Sequence, residues 1–126
     1  PALACGALAS VQHLRRSSHE RLAQQRQATK LKAKLYEAGL PILESDTHII
    51  PVMVKDAAKC SKICQTLLSD FGVYVQPINY PTVPVGSERL RLTPGPLHTD
   101  TMIDHLVDSL QKAFVLVDNT HAQQTV

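Results

Sequence analysis

Five of the chain's eight prolines fall between Gln76 and Thr99, in "QPINYPTVPVGSERLRLTPGPLHT". Proline has no backbone N–H to give a helix or a central strand, so this stretch reads as a stiff, extended loop. It admits only one short strand, Arg89–Leu92, where Arg89 and Arg91 share one face and Leu90 and Leu92 the other. A loop without a task is usually soft and polar. This one holds a hydroxyl, Thr82, between Pro81 and a nearby Pro84, and a cation pair on a short strand.

The rest of the chain supplies a frame for that loop. Residues 3–38 are rich in Ala and Leu and predict helix, as one piece or as two helices in line. Gly39 and Pro41 stop it. "THIIPVMV", Thr47–Val54, predicts a strand that Pro51 confines to an edge or a bulge. "DAAKCSKICQTLLSDFG" predicts the clearest helix, capped by Asp56 and ended by Gly72, with Cys60, Ile63, Cys64, Leu67, Leu68 and Phe71 in one apolar stripe. "VYVQPI" predicts a second strand. Thr99 caps a last helix running to Phe114, and "VDNTHAQQTV" reads as a polar, fraying tail. This order predicts an α+β fold: a small, mostly antiparallel sheet covered by helices on one face, with a long N-terminal helix. The expected units are 1–38 as a helix connecting from a missing large domain, 39–116 as a small α+β domain, and 117–126 as the tail.

Composition excludes several classes. The 126 residues suit one domain with a real core, which must be aliphatic because only two Phe, three Tyr and no Trp are present. A net charge of +2, with Arg15–Arg16 the one adjacent like-charged pair, argues against nucleic acid as a partner. No apolar run approaches the roughly 18 residues of a membrane span. Three cysteines without framework spacing favour a reducing compartment. No leader is visible, and a start on Pro1 rather than Met suggests that the working protein is larger.

Candidate chemistry is sparse. Arg91 offers a bidentate fork for a carboxylate; otherwise it pairs with a structural Glu or faces water. The Thr82 hydroxyl either donates to an anionic group or bonds the local backbone. Cys60 and Cys64 stand four apart, a spacing that fits two metal ligands, but both lie on the apolar stripe and read as buried structural thiols. His48 reads as an acid–base group or as a polar residue at a strand start. His13, His19, His98, His105 and His121 form no motif. The five glycines include no G-x-G phosphate cradle.

The segment "YVQPINYPTVPVGSERLRLTPGPLHT" resembles the 5-aminolevulinate synthases, a branch of the α-oxoamine synthases among the fold-type I pyridoxal-phosphate (PLP) enzymes. "GLPILESDTHIIPVMVKDAAKCSKICQTLL" and "CGALASVQHL" are similar to segments of the same family, so the resemblance spans nearly the whole chain. It implies the C-terminal small domain of a homodimeric acyltransferase. That enzyme condenses glycine with succinyl-CoA to 5-aminolevulinate, CoA and CO2 for heme synthesis, with PLP as electron sink. By motif position, Arg91 matches the arginine that binds the glycine carboxylate, and Thr82 the threonine that contacts the succinyl carboxylate. Arg89 is left structural. The family's PLP lysine and most other cofactor contacts lie upstream, so PLP would be bound by the missing part, and this chain is not expected to be active alone. Val85 stands where many relatives carry a basic residue. The resemblance implies the mitochondrial matrix or a bacterial cytoplasm. Two alternatives stay open: a free-standing, non-catalytic binding domain, and a sister α-oxoamine synthase using another acyl-CoA.

Overall fold

The computed structural model describes residues 1–123. The long N-terminal stretch is two helices, α1 (Ala2–Arg16) and α2 (His19–Glu37). The break lies at Ser17–Ser18, where side chains take over from the helix ladder. The Ser17 hydroxyl donates to Glu20 Oε2 (2.8 Å) and accepts the His19 N–H (3.3 Å). Serine competes with helix in this way because its oxygen reaches nearby backbone groups. His13 Nε2 and Glu20 Oε1, 2.8 Å apart, staple the two helices across the break. None of the α1 side chains is buried, whereas α2 buries Ala28, Leu31 and Leu35.

Strand β1 is Ile50–Met53, shorter than expected. The hydroxyls upstream explain the loss. Ser45 Oγ takes the Thr47 N–H (3.2 Å) and Thr47 Oγ1 takes the Ile49 N–H (3.2 Å), which removes them from any ladder. Helix α3 runs Ala57–Phe71. Asp56 caps it by accepting the Lys59 N–H at 2.6 Å, and Gly72 ends it at φ 66°, a left-handed turn that suits glycine. β2 is Gln76–Ile78, β3 is Arg89–Leu92, and α4 is Asp100–Gln123, with Thr99 Oγ1 accepting the Met102 N–H (3.3 Å).

Residues 117–123, expected as the start of a polar tail, are the last turns of α4; 124–126 lie outside the described residues. The physical reason is one more apolar contact. Ile103, Val107, Leu110 and Ala113 form a stripe at helical spacing, and Val117, 2% exposed, continues it into the core. Lys59 of α3 also reaches Asp118, an ion pair that ties the extension down.

The sheet order is β1-β3-β2, with β3 antiparallel to both neighbours. Pro51 and Pro77 therefore sit on edge strands, where a missing N–H costs no central ladder bond. Segment 41–43 covers part of the β1 edge: Met53 N–H donates to Pro41 O (2.7 Å) and Leu43 N–H to Pro51 O (2.9 Å). Helices α2, α3 and α4 bury one face of the sheet. Leu31 and Leu35, Cys60, Ile63 and Leu67, and the α4 stripe close on Ile50, Val52, Leu90 and Leu92.

Candidate carboxylate-binding site

Alternation along β3 sorts its side chains into core and surface. Leu90 and Leu92 are 0% and 3% exposed, while Arg91 lies on the opposite, open face. Across the ladder Arg91 stands between Pro51 and Gln76. Neither neighbour is an acid, and among the described residues the guanidinium has no ion pair or hydrogen bond. Arg89 is different: its Nε donates to the Ser87 carbonyl (2.9 Å), which is a structural use.

Arg91 lines a cavity of about 510 Å³. The polar lining also includes Tyr74, Gln76, Thr93, His98 and His105, and no carboxylate is among the lining residues. Gly95 N–H donates to His98 Nδ1 (2.8 Å). An amide N–H only donates, so Nδ1 accepts and the neutral ring carries its proton on Nε2. His105 Nε2 lies 3.0 Å from the Phe71 carbonyl, which only accepts, so this nitrogen donates. Sequence reading saw no motif in His98 and His105. Their only link to Arg91 is the turn at 93–98 and the phase of α4, and neither is a pattern in the chain.

Thr82 is exposed and does not line this cavity. It ends a turn with a cis Tyr80–Pro81 bond, in which Thr82 N–H donates to the Asn79 carbonyl (2.9 Å). Asn79 Nδ2 anchors that turn to α3 through Ser61 Oγ (3.2 Å) and the Ala57 carbonyl (3.4 Å). The chain thus fixes Thr82 and Arg91 at two separate places. Val85, 79% exposed, sits beyond the turn. The loop returns to β3 through Glu88, a residue sequence reading passed over. Glu88 is 2% exposed; its Oε2 accepts the Gly86 N–H (2.9 Å) and its carbonyl accepts from both Val54 and Lys55. Two successive donors on one carbonyl mark a bulge that ends the β1–β3 pairing.

The remaining candidates lie elsewhere. The Cys60 thiol is buried and donates to the Arg89 carbonyl (3.4 Å). Its sulfur, hydrogen-bonded to Cys64, pushes the Cys64 thiol up, with burial adding to the shift. That leaves Cys64 a poor thiolate ligand or nucleophile. His48 lines a second, polar cavity with Arg21, Lys32 and Asp46. Lys32 there donates to the carbonyls of Ser45 and Thr47.

Three comparisons place this architecture among known proteins. The family model described as "Aminotransferase class I and II" matches residues 1–110. The 5-aminolevulinate synthase of Rhizobium meliloti is 56% identical over 110 residues, which is 87% of this chain and 27% of that protein. The enzyme of the same name from Rickettsia typhi is 42% identical over 118 residues, 94% of this chain and 28% of that protein. The chain therefore spans little more than a quarter of the relatives it matches. Among solved structures, a serine palmitoyltransferase from S. paucimobilis with a bound PLP-myriocin aldimine superposes with a TM-score of 0.79 at 28% identity. That match covers 87% of this chain and 28% of the other. A second, of SPT with a PLP internal aldimine, gives 0.72 at 28% identity over 79% of this chain and 25% of that one. The helices and three-stranded sheet are those of a C-terminal small domain of a fold-type I PLP enzyme. The sequence match over residues 1–110 and the shared architecture make this chain a member of the aminotransferase class I and II family.

Proposed function

We propose that the chain is the C-terminal part of a 5-aminolevulinate synthase, which condenses glycine with succinyl-CoA to 5-aminolevulinate, CoA and CO2. The observation that carries this reading is Arg91: a guanidinium with no partner among the described residues, on a rigid strand beside a cavity whose lining holds no acid. Its planar fork matches a carboxylate with two parallel N–H donors. In this reading Arg91 holds the glycine carboxylate, and Thr82, on its clamped turn, meets the succinyl carboxylate. Holding both fixes the reacting ends of the two substrates in a set geometry. Residues 39–116 act as the small domain, and 1–38 connect it to the large one.

PLP, when bound, supplies the electron sink for chemistry at the glycine α-carbon. The residues described here do not fit the role of holding it. None of the chain's lysines lines the Arg91 cavity. Lys30, Lys34, Lys59 and Lys112 face aspartates, and Lys32 faces carbonyls. In this reading the cofactor lysine is supplied by the part of the relatives' length that this chain does not span. The complete enzyme acts as a homodimer, and its bacterial relatives support a bacterial cytoplasm over the mitochondrial matrix.

Arg91→Ala in the complete protein tests the reading. Hydrogen bonds to a charged group are worth roughly 1.5–3 kcal/mol, so the glycine KM should rise about 10- to 100-fold. Arg91→Lys should recover only part of this, because the fork is lost. An unchanged glycine KM removes Arg91 from the site. The solved neighbours favour one second reading, a sister synthase with another acyl donor. Measuring kcat/KM with succinyl-CoA and with long-chain acyl-CoA separates the two.

A further inference from the structure

The cavity beside Arg91 is larger than glycine needs. Its volume of about 510 Å³ lies in the range of pockets that hold drug-sized ligands. Its lining is also divided. Arg91 and His98 are exposed at the rim, whereas Leu31, Val75, Leu92 and Ile103 reach it from the core and are each 5% exposed or less. Leu106 and Met102 of α4 complete the apolar wall. The rim offers a guanidinium with no partner among the described residues and, on His98, an Nε2–H that its Nδ1 bond leaves free. With no acid in the lining, a cation or a zwitterion's ammonium finds nothing there, and an anion finds donors.

We propose that this cavity binds monocarboxylic acids with a short alkyl chain, which act as competitors of glycine. The carboxylate sits on Arg91 and His98, and the alkyl chain lies on the accessible apolar surface of Val73, Met102 and Leu106, above the buried Leu31, Val75, Leu92 and Ile103. No bond is made or broken, and the site works by occupancy alone. The proposal rests on the reading of Arg91 as a carboxylate anchor and adds the ligand class that the apolar floor selects.

The test is calorimetric titration of the complete, PLP-loaded protein with acetate, butyrate and hexanoate. Burying a methylene gains enough to tighten binding about fourfold for each one added, so Kd should fall steeply along the series. Arg91→Ala should weaken hexanoate at least about tenfold. Leu106→Trp fills the wall and should flatten the chain-length dependence; Met102→Trp, at a half-exposed position, does the same if the first variant misfolds. Equal affinity for acetate and hexanoate overturns the proposal. So does a chain-length dependence that survives a folded Trp variant, because the acid then binds elsewhere. The glycine KM of Arg91→Ala keeps the two readings apart. A glycine KM that rises without a chain-length effect leaves the substrate assignment standing and removes only the apolar-acid site.

Discussion

Asn79→Ala should loosen the Thr82 turn without unfolding the domain. Asn79 joins the turn to α3 twice through Nδ2, at 3.2 Å to Ser61 Oγ and 3.4 Å to the Ala57 carbonyl. Both bonds are at the long end of the N–H···O range, so each contributes about 0.5 kcal/mol net, or about 1 kcal/mol together. Asn79 Oδ1 is buried with no partner among the described residues, and truncation relieves that desolvated acceptor. The two effects partly cancel in global stability, which should change by less than about 1 kcal/mol. At the turn the two lost bonds to α3 set the upper limit of the effect. A loss of up to about 1 kcal/mol lowers the docked-to-undocked ratio of the turn by up to about fivefold. If Thr82 meets the succinyl carboxylate, the succinyl-CoA KM of the complete protein should rise, by up to about fivefold, while the glycine KM holds. Ser61→Ala should act in the same direction but less, and the double variant should be less than additive because the two residues share one bond. An unchanged succinyl-CoA KM, or an equal rise in both constants, refutes the reasoning.

Two further outcomes follow from local chemistry. Asp56→Ala removes the cap on α3 and should cost about 1 kcal/mol, read as faster amide exchange at Lys59, while Asp56→Asn retains most of the protection. At the α1–α2 break, the hydrogen bond from His13, with further bonds from the backbone and Ser17, lowers the Glu20 pKa from 4.5 to about 2. A depressed carboxylate stabilises the fold above its unfolded value and loses that contribution as pH falls through the folded one. Amide protection across Ser17–Ser18, taken relative to the intrinsic exchange rate at each pH, should therefore be steady above pH about 4.5 and fall as pH falls towards about 2. Glu20→Gln should show no such step.

The elements that sequence reading places well are those whose signals are local. Asp56 and Gly72 bracket α3 because a cap and a left-handed glycine act within one turn. The β3 span is legible because Leu and Arg alternate there without interruption. Boundaries are less legible where a side chain decides them. Ser17 breaks the first helix through its hydroxyl, and Ser45 and Thr47 withhold backbone donors from β1. The last turns of α4 escape for another reason: "VDNTHAQQTV" is polar in sum, yet Val117 falls on the buried stripe and outweighs its neighbours. At the candidate site, Arg91 is legible from strand alternation. His98 and His105 reach the same cavity only through tertiary placement.

Arg89 and Arg91 show why a pattern that marks a cation does not by itself mark a site. Both stand on the same face of one four-residue strand. Arg89 lies at the end where the β1 bulge and Glu88 fold the chain back, and there a carbonyl, that of Ser87, lies within reach of its Nε. Arg91 lies mid-strand, where ladder bonds have already used the nearby backbone groups and the cross-strand neighbours are Pro51 and Gln76. A proline ring at Pro51 supplies neither an acceptor nor a charge to the guanidinium. The feature that restricts β1 to an edge thus also leaves Arg91 without a structural partner among the described residues. Pro51→Glu would restore one, because opposed charges directly across an antiparallel pair attract. The variant should therefore weaken glycine binding by occupying Arg91 from within the sheet, with the fold intact. A glycine KM unmoved by a folded Pro51→Glu protein would mean that the open face of β3 is not where the substrate carboxylate is held.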